Sequence, residues 1–327
     1  MIKHLEIKNF KSLKEISLNC KRINLFIGEP NSGKSNILES IGLFSFTDKL
    51  KDFVRYERIT NLFYDENLEE TINIKLDTKE LEIKKHGEQI LGGAIEKRGQ
   101  TPSNGHYQLF SFQADYSSLR GWSGINPCSL IIKFYRFKIM DLFNAHDIAF
   151  LNPPYGDNLL TIISINKKLK SFISDIFTPF GYKLFLRPQE NKIEILKYDE
   201  KENISISLPY SLVSDTFQRI IFYWTAINTN KDSVLIFEEP ESQTFPYYTK
   251  FLAETIALDK NNQYFLTTHN PYFLLSLLEK TPKEEIGIFI TYYKNYQTKI
   301  KELSEEEKIK ILDFEKDAFF NIEKFIE

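Results

Sequence analysis

The first ten residues alternate between apolar and charged side chains, with Leu5 and Ile7 on the apolar side. A period of two predicts a strand with one buried face. Residues 11–18 predict a second strand, and the apolar run at 23–27 predicts a third. Between residues 50 and 115, further strand patterns are separated by segments rich in glycine, proline and asparagine. These turn signals favour antiparallel pairing, so the pattern predicts an antiparallel β-layer.

The middle of the chain, residues 116–204, has a mixed pattern. A strand is predicted over 130–137 and an amphipathic helix over 158–177. Two alternating segments, 183–186 and 192–196, predict a hairpin. We interpret residues 116–204 as an inserted α+β lid that contacts a partner.

Beyond residue 205, long apolar runs alternate with stretches of helical spacing. Continuous apolar runs are typical of parallel strands that are buried on both faces. The elements predicted are a helix over 214–227, a strand over 233–237, a helix over 246–258, a strand over 263–268, a helix over 271–278, a strand over 286–291 and a capping box at 304–307. The predicted parts are an N-terminal lobe (1–115), the lid (116–204), a C-terminal lobe (205–300) and a helical tail (301–327).

The composition is typical of a globular protein, with 42% hydrophobic and 27% charged residues among 327. The net charge of −3 argues against a broad basic face for nucleic acid, although it does not exclude a local basic patch. Cys20 and Cys128 have no metal-binding spacing, so we expect reduced cysteines. The charged N-terminus does not match a signal peptide, and the apolar run 220–227 is too short to span a bilayer. We expect a cytoplasmic protein that does not bind membranes.

The segment after the third predicted strand has the form Gly-x4-Gly-Lys-Ser and leads into a helical pattern. Such a P-loop aims backbone N–H groups and the positive helix end at phosphate oxygens. In this motif Lys34 reaches the β- and γ-phosphates, and Ser35 holds Mg²⁺. The alternative is a glycine turn with a surface lysine, which the flanking strand and helix disfavour. The predicted site for ATP and Mg²⁺ comprises Gly28, Glu29, Pro30, Asn31, Ser32, Gly33, Lys34, Ser35 and Asn36.

Glu238 and Glu239 directly follow the apolar strand at 233–237. In a chain with a P-loop, this placement favours nucleotide hydrolysis. We assign Glu238 to the metal ion and Glu239 to the base that orients or deprotonates the attacking water. The alternative is an acidic turn without a catalytic role.

His269 follows the strand at 263–268. A neutral imidazole there can donate a hydrogen bond to the γ-phosphate or to the water; a turn histidine is the alternative. Residues 214–219, Ser-Asp-Thr-Phe-Gln-Arg, open a predicted helix whose N-terminus can bind a phosphate. Ser214, Thr216 and Arg219 are the candidates there, and an ordinary helix N-cap is the alternative.

The order of these motifs resembles the ABC-type ATPase heads of the SMC, RecF and OLD (overcoming lysogenization defect) proteins. The chain looks most similar to the small bacterial AAA-family ATPases grouped with OLD. The resemblance covers residues 1–50 and 205–275 best. It is carried by Ile-Lys-Asn-Phe-Lys-Ser at 7–12, the P-loop, Ser-Asp-Thr-Phe-Gln-Arg, Phe-Glu-Glu-Pro-Glu and Thr-Thr-His-Asn-Pro. It implies an α/β P-loop NTPase fold of the ABC-ATPase type, with a mixed sheet, an antiparallel β-layer and an inserted α+β lid.

The resemblance also implies roles for single residues. Glu238 and Glu239 fall on the acidic pair that binds Mg²⁺ and activates water, and His269 falls on the switch histidine. Residues 214–219 fall on the signature segment, which contacts the γ-phosphate bound by a second subunit. Glu238 stands where the family usually has aspartate.

Two further positions bear on the comparison with the family. Thr216 stands where the signature usually has glycine. Gln108 and Gln113 are the candidates for the glutamine that contacts Mg²⁺ in this family.

One P-loop and one signature segment imply a homodimer or higher homo-oligomer that shares each ATP between two chains. The resulting hypothesis is an ATPase that acts as a conformational switch, and the resemblance suggests DNA transactions or antiphage defence. DNA and a separate effector or nuclease protein are the partner classes implied. The alternatives are the ATPase subunit of a two-protein nuclease, a transporter ATPase subunit and a small-molecule kinase. The chain after His269 is too short for a Toprim nuclease domain, and the strand-end glutamates with this histidine disfavour the kinase.

Overall fold

The structure is a computed structural model, which describes residues 1–46, 49–97, 106–124, 131–145, 148–199, 204–313, 319 and 322–326. Cys128 lies outside the described residues. Two large sheets and one small sheet form the framework. Within the described ranges, no helix is both long and apolar enough to cross a membrane.

The strands of the described residues are numbered in chain order. They are β1 (His4–Phe10), β2 (Leu13–Asn19), β3 (Ile23–Gly28), β4 (Ile72–Leu76), β5 (Lys79–His86), β6 (Gln89–Lys97), β7 (His106–Ala114), β8 (Leu119–Gly124), β9 (Ile132–Tyr135), β10 (Tyr182–Arg187), β11 (Lys192–Asp199), β12 (Ile204–Pro209), β13 (Val234–Glu238), β14 (Gln263–Thr267), β15 (Ile286–Lys294) and β16 (Gln297–Glu302).

The α-helices of the same residues are numbered in the same way. They are α1 (Lys34–Gly42), α2 (Leu50–Phe53), α3 (Leu159–Ile165), α4 (Lys167–Phe177), α5 (Asp215–Thr229), α6 (Pro246–Leu258), α7 (Pro271–Lys280) and α8 (Glu305–Asp313).

The antiparallel sheet has the order β2-β1-β4-β5-β6-β7-β8. This confirms the predicted antiparallel layer and adds β8 at its edge. The second sheet has the order β16-β15-β3-β14-β13-β9, and only the β15–β16 pair in it is antiparallel. β3, β13 and β14 are apolar on both faces because they are covered on both sides, as expected of parallel strands.

Two hydrophobic clusters cover the opposite faces of the parallel strands. One contains Phe26, Ile236 and Phe265 and joins these strands to α1 and the antiparallel sheet. The other contains Leu25 and Phe237 on the opposite face and joins the strands to α5, α6 and α7. Because both faces are buried, the strand ends are held rigidly, and the loops that follow them can position side chains accurately.

The helix predicted over 158–177 is interrupted in the structure. Asn166 is extended between α3 and α4, and its side chain accepts a hydrogen bond of 3.0 Å from the Leu169 N–H. An asparagine that caps a new helix competes with continuation of the previous one, because its side chain satisfies a free N–H group. The apolar periodicity continued across this point and therefore could not indicate the break.

The small antiparallel sheet has the order β10-β11-β12. The predicted hairpin is confirmed as β10–β11, joined through a short turn at Pro188–Glu190. β8 and β9 lie inside the proposed range 116–204 but pair in the two large sheets. We therefore propose that the part of the lid with its own sheet begins after β9 and ends with β12.

The predicted capping box at the start of α8 is confirmed. The Ser304 N–H donates to Glu307 Oε2 at 2.8 Å, and the Glu307 N–H donates to Ser304 Oγ at 3.2 Å. A local four-residue signal was sufficient here, because both partners lie on the same helical turn.

Candidate nucleotide-binding site

The P-loop connects β3 to α1 and packs against the β15–β16 hairpin. A Cβ atom on Gly28 would collide with Thr291, and one on Gly33 would collide with the hydroxyl of Thr298. Gly33 also has a φ of 97°, which residues with side chains rarely adopt. The two motif glycines are therefore required by the close approach of the loop to the hairpin.

Hydroxyl groups also form hydrogen bonds where the P-loop region meets the hairpin. Ser32 Oγ lies 2.7 Å from Thr291 Oγ1, and Ser12 Oγ lies 2.7 Å from Thr298 Oγ1. Asn36 Nδ2 donates to Ser12 Oγ at 2.8 Å. The hairpin thus holds the P-loop directly through Thr291 and the start of α1 indirectly through Thr298 and Ser12.

Lys34 is buried in the loop. Its Nζ donates to the carbonyl oxygens of Gly28 at 2.8 Å and Glu29 at 2.7 Å. Burial lowers the pKa of Lys34 to about 8, although Glu239 and Glu238 favour its charged form. A phosphate group would supply the negative partner that compensates for this burial.

A cavity of about 400 Å³ opens beside the P-loop. The P-loop and the predicted catalytic pair face the same space, as the sequence predicted. The cavity is lined by Ser12, Pro30, Asn31, Gly33, Lys34, Ser35, Asn36, Arg55, Glu239 and His269.

The ends of β13 and β14 bring Glu239 and His269 together. Glu238, the last residue of β13, pairs with Thr267 of β14, so the next residues leave the same edge of the sheet. His269 Nε2 lies 3.3 Å from Glu239 Oε1, and each side chain is 40% exposed, so both are accessible to a ligand. Burial and the Lys34 charge lower the pKa of His269, with Glu239 opposing, which favours a neutral imidazole.

The backbone at Glu239 is strained, with a φ of 44°. Its N–H donates to Thr267 Oγ1 at 3.1 Å, and Ser242 Oγ donates to its Oε2 at 3.2 Å. These bonds hold the carboxylate at the cavity. Strain of this kind is concentrated at functional sites.

Glu238 points to two arginines and is not among the residues that line the cavity. Arg55 Nη2 donates to Glu238 Oε1 at 2.8 Å, and Arg136 Nη2 lies 3.8 Å from Glu238 Oε2. The same arginines bind Oε1 of the fully buried Glu39, at 2.7 and 3.0 Å, and Lys11 binds its other oxygen. Burial would raise the pKa of Glu39, but Lys11 and Arg55 hold it below its usual range.

Sequence reasoning missed Arg55, Arg136 and Glu39. Glu39 carried one signal, since it is a charged residue among the apolar positions of the helix after the P-loop. Arg55 carried no sequence signal, because its partner Glu238 is 183 residues away.

Ser35 lines the cavity and can offer its hydroxyl to a Mg²⁺ ion that arrives with a nucleotide. Glu238, the other predicted ligand, ends the adjacent strand but is paired with Arg55 and does not line the cavity. The described ranges hold no cluster of three or more histidine, cysteine or acidic side chains suited to a metal. Nucleotide-bound Mg²⁺ needs only one or two protein oxygens besides phosphate and water.

The predicted signature segment lies at the N-terminus of α5, outside the cavity of its own chain. Ser214 is exposed, and its side chain makes no capping hydrogen bond to the described residues of α5. Thr216 Oγ1 donates to the Gln243 carbonyl at 3.2 Å, and Arg219 Nε donates to Asp215 Oδ2 at 3.2 Å. Within one chain these residues are therefore not part of the P-loop site.

Gln108 and Gln113 lie on β7 in the antiparallel sheet, and neither lines the P-loop cavity. Gln108 lines a different cavity, together with Glu80 and Gly93. Gln113 pairs with Gly121 of β8. The structure thus does not bring either predicted glutamine to the site, because β7 belongs to the other sheet.

A P-loop between a parallel strand and its helix, with an acid–histidine pair at the ends of two adjacent strands, defines a P-loop ATPase head. The family model described as "AAA ATPase domain" matches residues 1–152. A second model, "AAA domain, putative AbiEii toxin, Type IV TA system", matches residues 135–276. Together the two models cover residues 1–276, so the chain is similar to AAA-type ATPase domains over this range, in agreement with the predicted resemblance to SMC/RecF-like ATPase heads.

One curated relative is similar to part of the chain. The DNA replication and repair protein RecF of Clostridium kluyveri is 33% identical over 102 residues, which is 29% of this chain and 28% of that relative. The match therefore spans less than a third of the relative's length.

Two solved structures share the fold. An SMC head bound to the C-winged helix domain of ScpA has a TM-score of 0.53 and 16% identity, covering 93% of this chain and 98% of that one. The Pyrococcus furiosus SMC head with an extended coiled coil, bound to the C-terminal domain of ScpA, has a TM-score of 0.50 and 14% identity. This second match covers 96% of this chain and 98% of the other.

Proposed function

We propose that the protein is an ATP-driven switch that closes as a homodimer. Each ATP would lie between the P-loop of one chain and residues 214–219 of the other. The observation that carries the proposal is the division of the site. Lys34, Ser35 and Glu239 line one cavity, while the exposed N-terminus of α5 lies outside it. Free N–H groups at a helix N-terminus suit a phosphate, and a second chain can supply them.

In this mechanism Lys34 and Arg55 balance the negative charge of the phosphates at the cavity wall. Glu239 accepts the proton of the attacking water. His269 lies 3.3 Å from this carboxylate, and its lowered pKa favours the neutral imidazole, which forms no ion pair with Glu239. His269 donates a hydrogen bond to the charge that develops on the γ-phosphate. Ser35 and Glu238 would hold Mg²⁺, which supplies charge neutralisation between the phosphates when bound.

The biological setting that we propose is a DNA transaction, supported by the RecF relative, whose name refers to DNA replication and repair. The second candidate setting is antiphage defence, in which the protein would be the OLD-like ATPase of a two-protein effector system. It is supported by the description of the second family model, which refers to a toxin and a toxin–antitoxin system. Co-purification with the Glu239→Gln variant in ATP separates them, since recovery of DNA favours the first and recovery of an effector protein the second.

His269→Ala tests the role of the imidazole in turnover. We expect kcat to fall about a hundredfold, because loss of one preorganised hydrogen bond in the transition state costs about 3 kcal/mol. ATP affinity should change little, since Lys34 and the loop amides remain. Steady-state ATPase assays and equilibrium binding measure the two quantities. His86→Ala, at an exposed position on β5, is the control, and a kcat within twofold of wild type for His269→Ala would contradict the role.

Mixing Lys34→Ala chains with Ser214→Arg chains tests the shared site. Each variant alone should be inactive, because Lys34→Ala disrupts the P-loop half and Ser214→Arg the α5 half of both sites in its dimer. Mixed dimers should regain turnover, since one site in each keeps an intact P-loop and an intact α5 N-terminus. Ser304→Arg, at another exposed helix N-cap, replaces Ser214→Arg as the control and should be active alone. Failure of complementation in stable mixed dimers would indicate a self-contained site in each chain.

A further inference from the structure

Glu241 is a buried acid that the mechanism above does not use. Glu241 is 4% exposed, and it is not among the residues that line the P-loop cavity. Its Oε1 accepts a hydrogen bond from the hydroxyl of Thr268. Its Oε2 has no hydrogen-bond partner among the described residues. A buried oxygen without a partner destabilises a fold, so its presence beside a reaction site calls for a functional explanation.

The hydrogen bond to Thr268 connects the two catalytic loops. Glu241 lies two residues after Glu239, and Thr268 directly precedes His269. Thr268 Oγ1 also accepts the Asn270 N–H at 2.9 Å, so the same hydroxyl organises the backbone on the other side of the histidine. The Glu241–Thr268 hydrogen bond therefore joins the two loops next to the contact between Glu239 and His269.

A second link lies on the sheet side of the same contact. The Glu239 N–H donates to Thr267 Oγ1 at 3.1 Å. This bond aligns the backbone where the loops leave β13 and β14, whereas the Glu241 bond closes the loops further out. Removing the outer link would leave the loops joined but free to separate at the catalytic pair.

The environment of Glu241 favours its neutral form. Burial raises the pKa of this carboxyl to about 7; the Thr268 hydroxyl opposes the shift, and the nearby Glu239 charge adds to it. A neutral acid costs much less than a carboxylate when one oxygen is buried without a partner. Glutamine, which is neutral and of the same shape, is therefore the closest substitute.

We propose that Glu241 is a positioning residue for ATP hydrolysis, which holds His269 against Glu239 by tying the loop after β13 to the loop after β14. The inference rests on the proposed mechanism of hydrolysis. It predicts a specific division of effects: kcat depends on Glu241, while ATP affinity does not.

The test measures kcat and ATP affinity separately for four variants of the full chain. Glu241→Ala and Thr268→Val should each lower kcat about ten- to a hundredfold, the loss expected when reacting groups are slightly misplaced. Equilibrium binding of ATP should stay within about twofold of wild type, because neither residue lines the cavity. Glu241→Gln and Thr268→Ser should retain most of the turnover, since each keeps the hydrogen bond.

The double variant Glu241→Ala with Thr268→Val makes the test sharper. If both residues act through one bond, the double variant should be no slower than the slower single variant, whereas independent effects would multiply. Thr281→Val is the matched control, because Thr281 is also buried but its hydroxyl has no hydrogen-bond partner in the described part of the chain. We expect wild-type turnover from it. Thermal unfolding checks that each variant is folded, and if Glu241→Ala does not fold, Thr268→Val and the two conservative variants decide.

Three results would overturn the inference: turnover of Glu241→Gln as low as that of Glu241→Ala, a loss of ATP affinity equal to the loss of kcat, or multiplicative losses in the double variant. Lys34→Ala, assayed in parallel, separates this failure from failure of the proposed function. If Lys34→Ala abolishes turnover and Glu241→Ala does not change it, only the positioning role is wrong. If the wild type has no turnover, or Lys34→Ala keeps it, both proposals fail.

Discussion

Glu239→Gln is expected to lower ATP turnover by a factor of about 10² to 10⁴, the usual contribution of a general base. Glutamine keeps the shape of the side chain but cannot accept the proton of the water. Binding of ATP should survive, because Lys34 and the P-loop are unchanged. Single-turnover hydrolysis and equilibrium binding measure the two quantities. Glu284→Gln, at an exposed position, is the control, and near-normal turnover in Glu239→Gln would assign the base elsewhere.

The same variant should accumulate as a dimer in the presence of ATP. A nucleotide that binds only the closed state shifts the population toward that state, and blocked hydrolysis prevents its return. Light scattering with and without ATP measures the mass. An identical mass in both conditions, together with normal ATP binding, would contradict ATP-dependent closure.

Lys34→Ala is expected to weaken ATP binding by about thirtyfold or more, since loss of one partner of a buried charge pair costs about 2–5 kcal/mol. Lys34 is buried in the P-loop, and among the described residues its Nζ is held by two loop carbonyls and a weak contact to Ser32. Alanine would remove the cation that the phosphates need. Equilibrium dialysis with labelled ATP measures the affinity, with the exposed Lys14→Ala as the control. Unchanged affinity in a folded variant would mean that the loop is only structural.

The sequence alone determined the elements that depend on local signals. The Gly-x4-Gly-Lys-Ser motif predicted the strand, loop and helix around Lys34, because all the required residues are close together in the sequence, from Gly28 to Ser35. The continuous apolar runs predicted β13 and β14, since strands covered on both faces have no polar side. Because parallel strands end at the same edge of a sheet, the positions of Glu239 and His269 after these strands also predicted that they face the P-loop.

The tertiary structure alone decided which distant residues support the site. Thr291 and Thr298 approach the P-loop glycines from the β15–β16 hairpin. Arg55 binds both Glu39, 16 residues away, and Glu238, 183 residues away. These contacts carry no period or motif, because they depend on how the two sheets pack around α1. For the same reason Gln108 and Gln113, which have the right residue type, lie in the wrong sheet. Local patterns specify strands and loops, but packing of the sheets specifies which side chains meet.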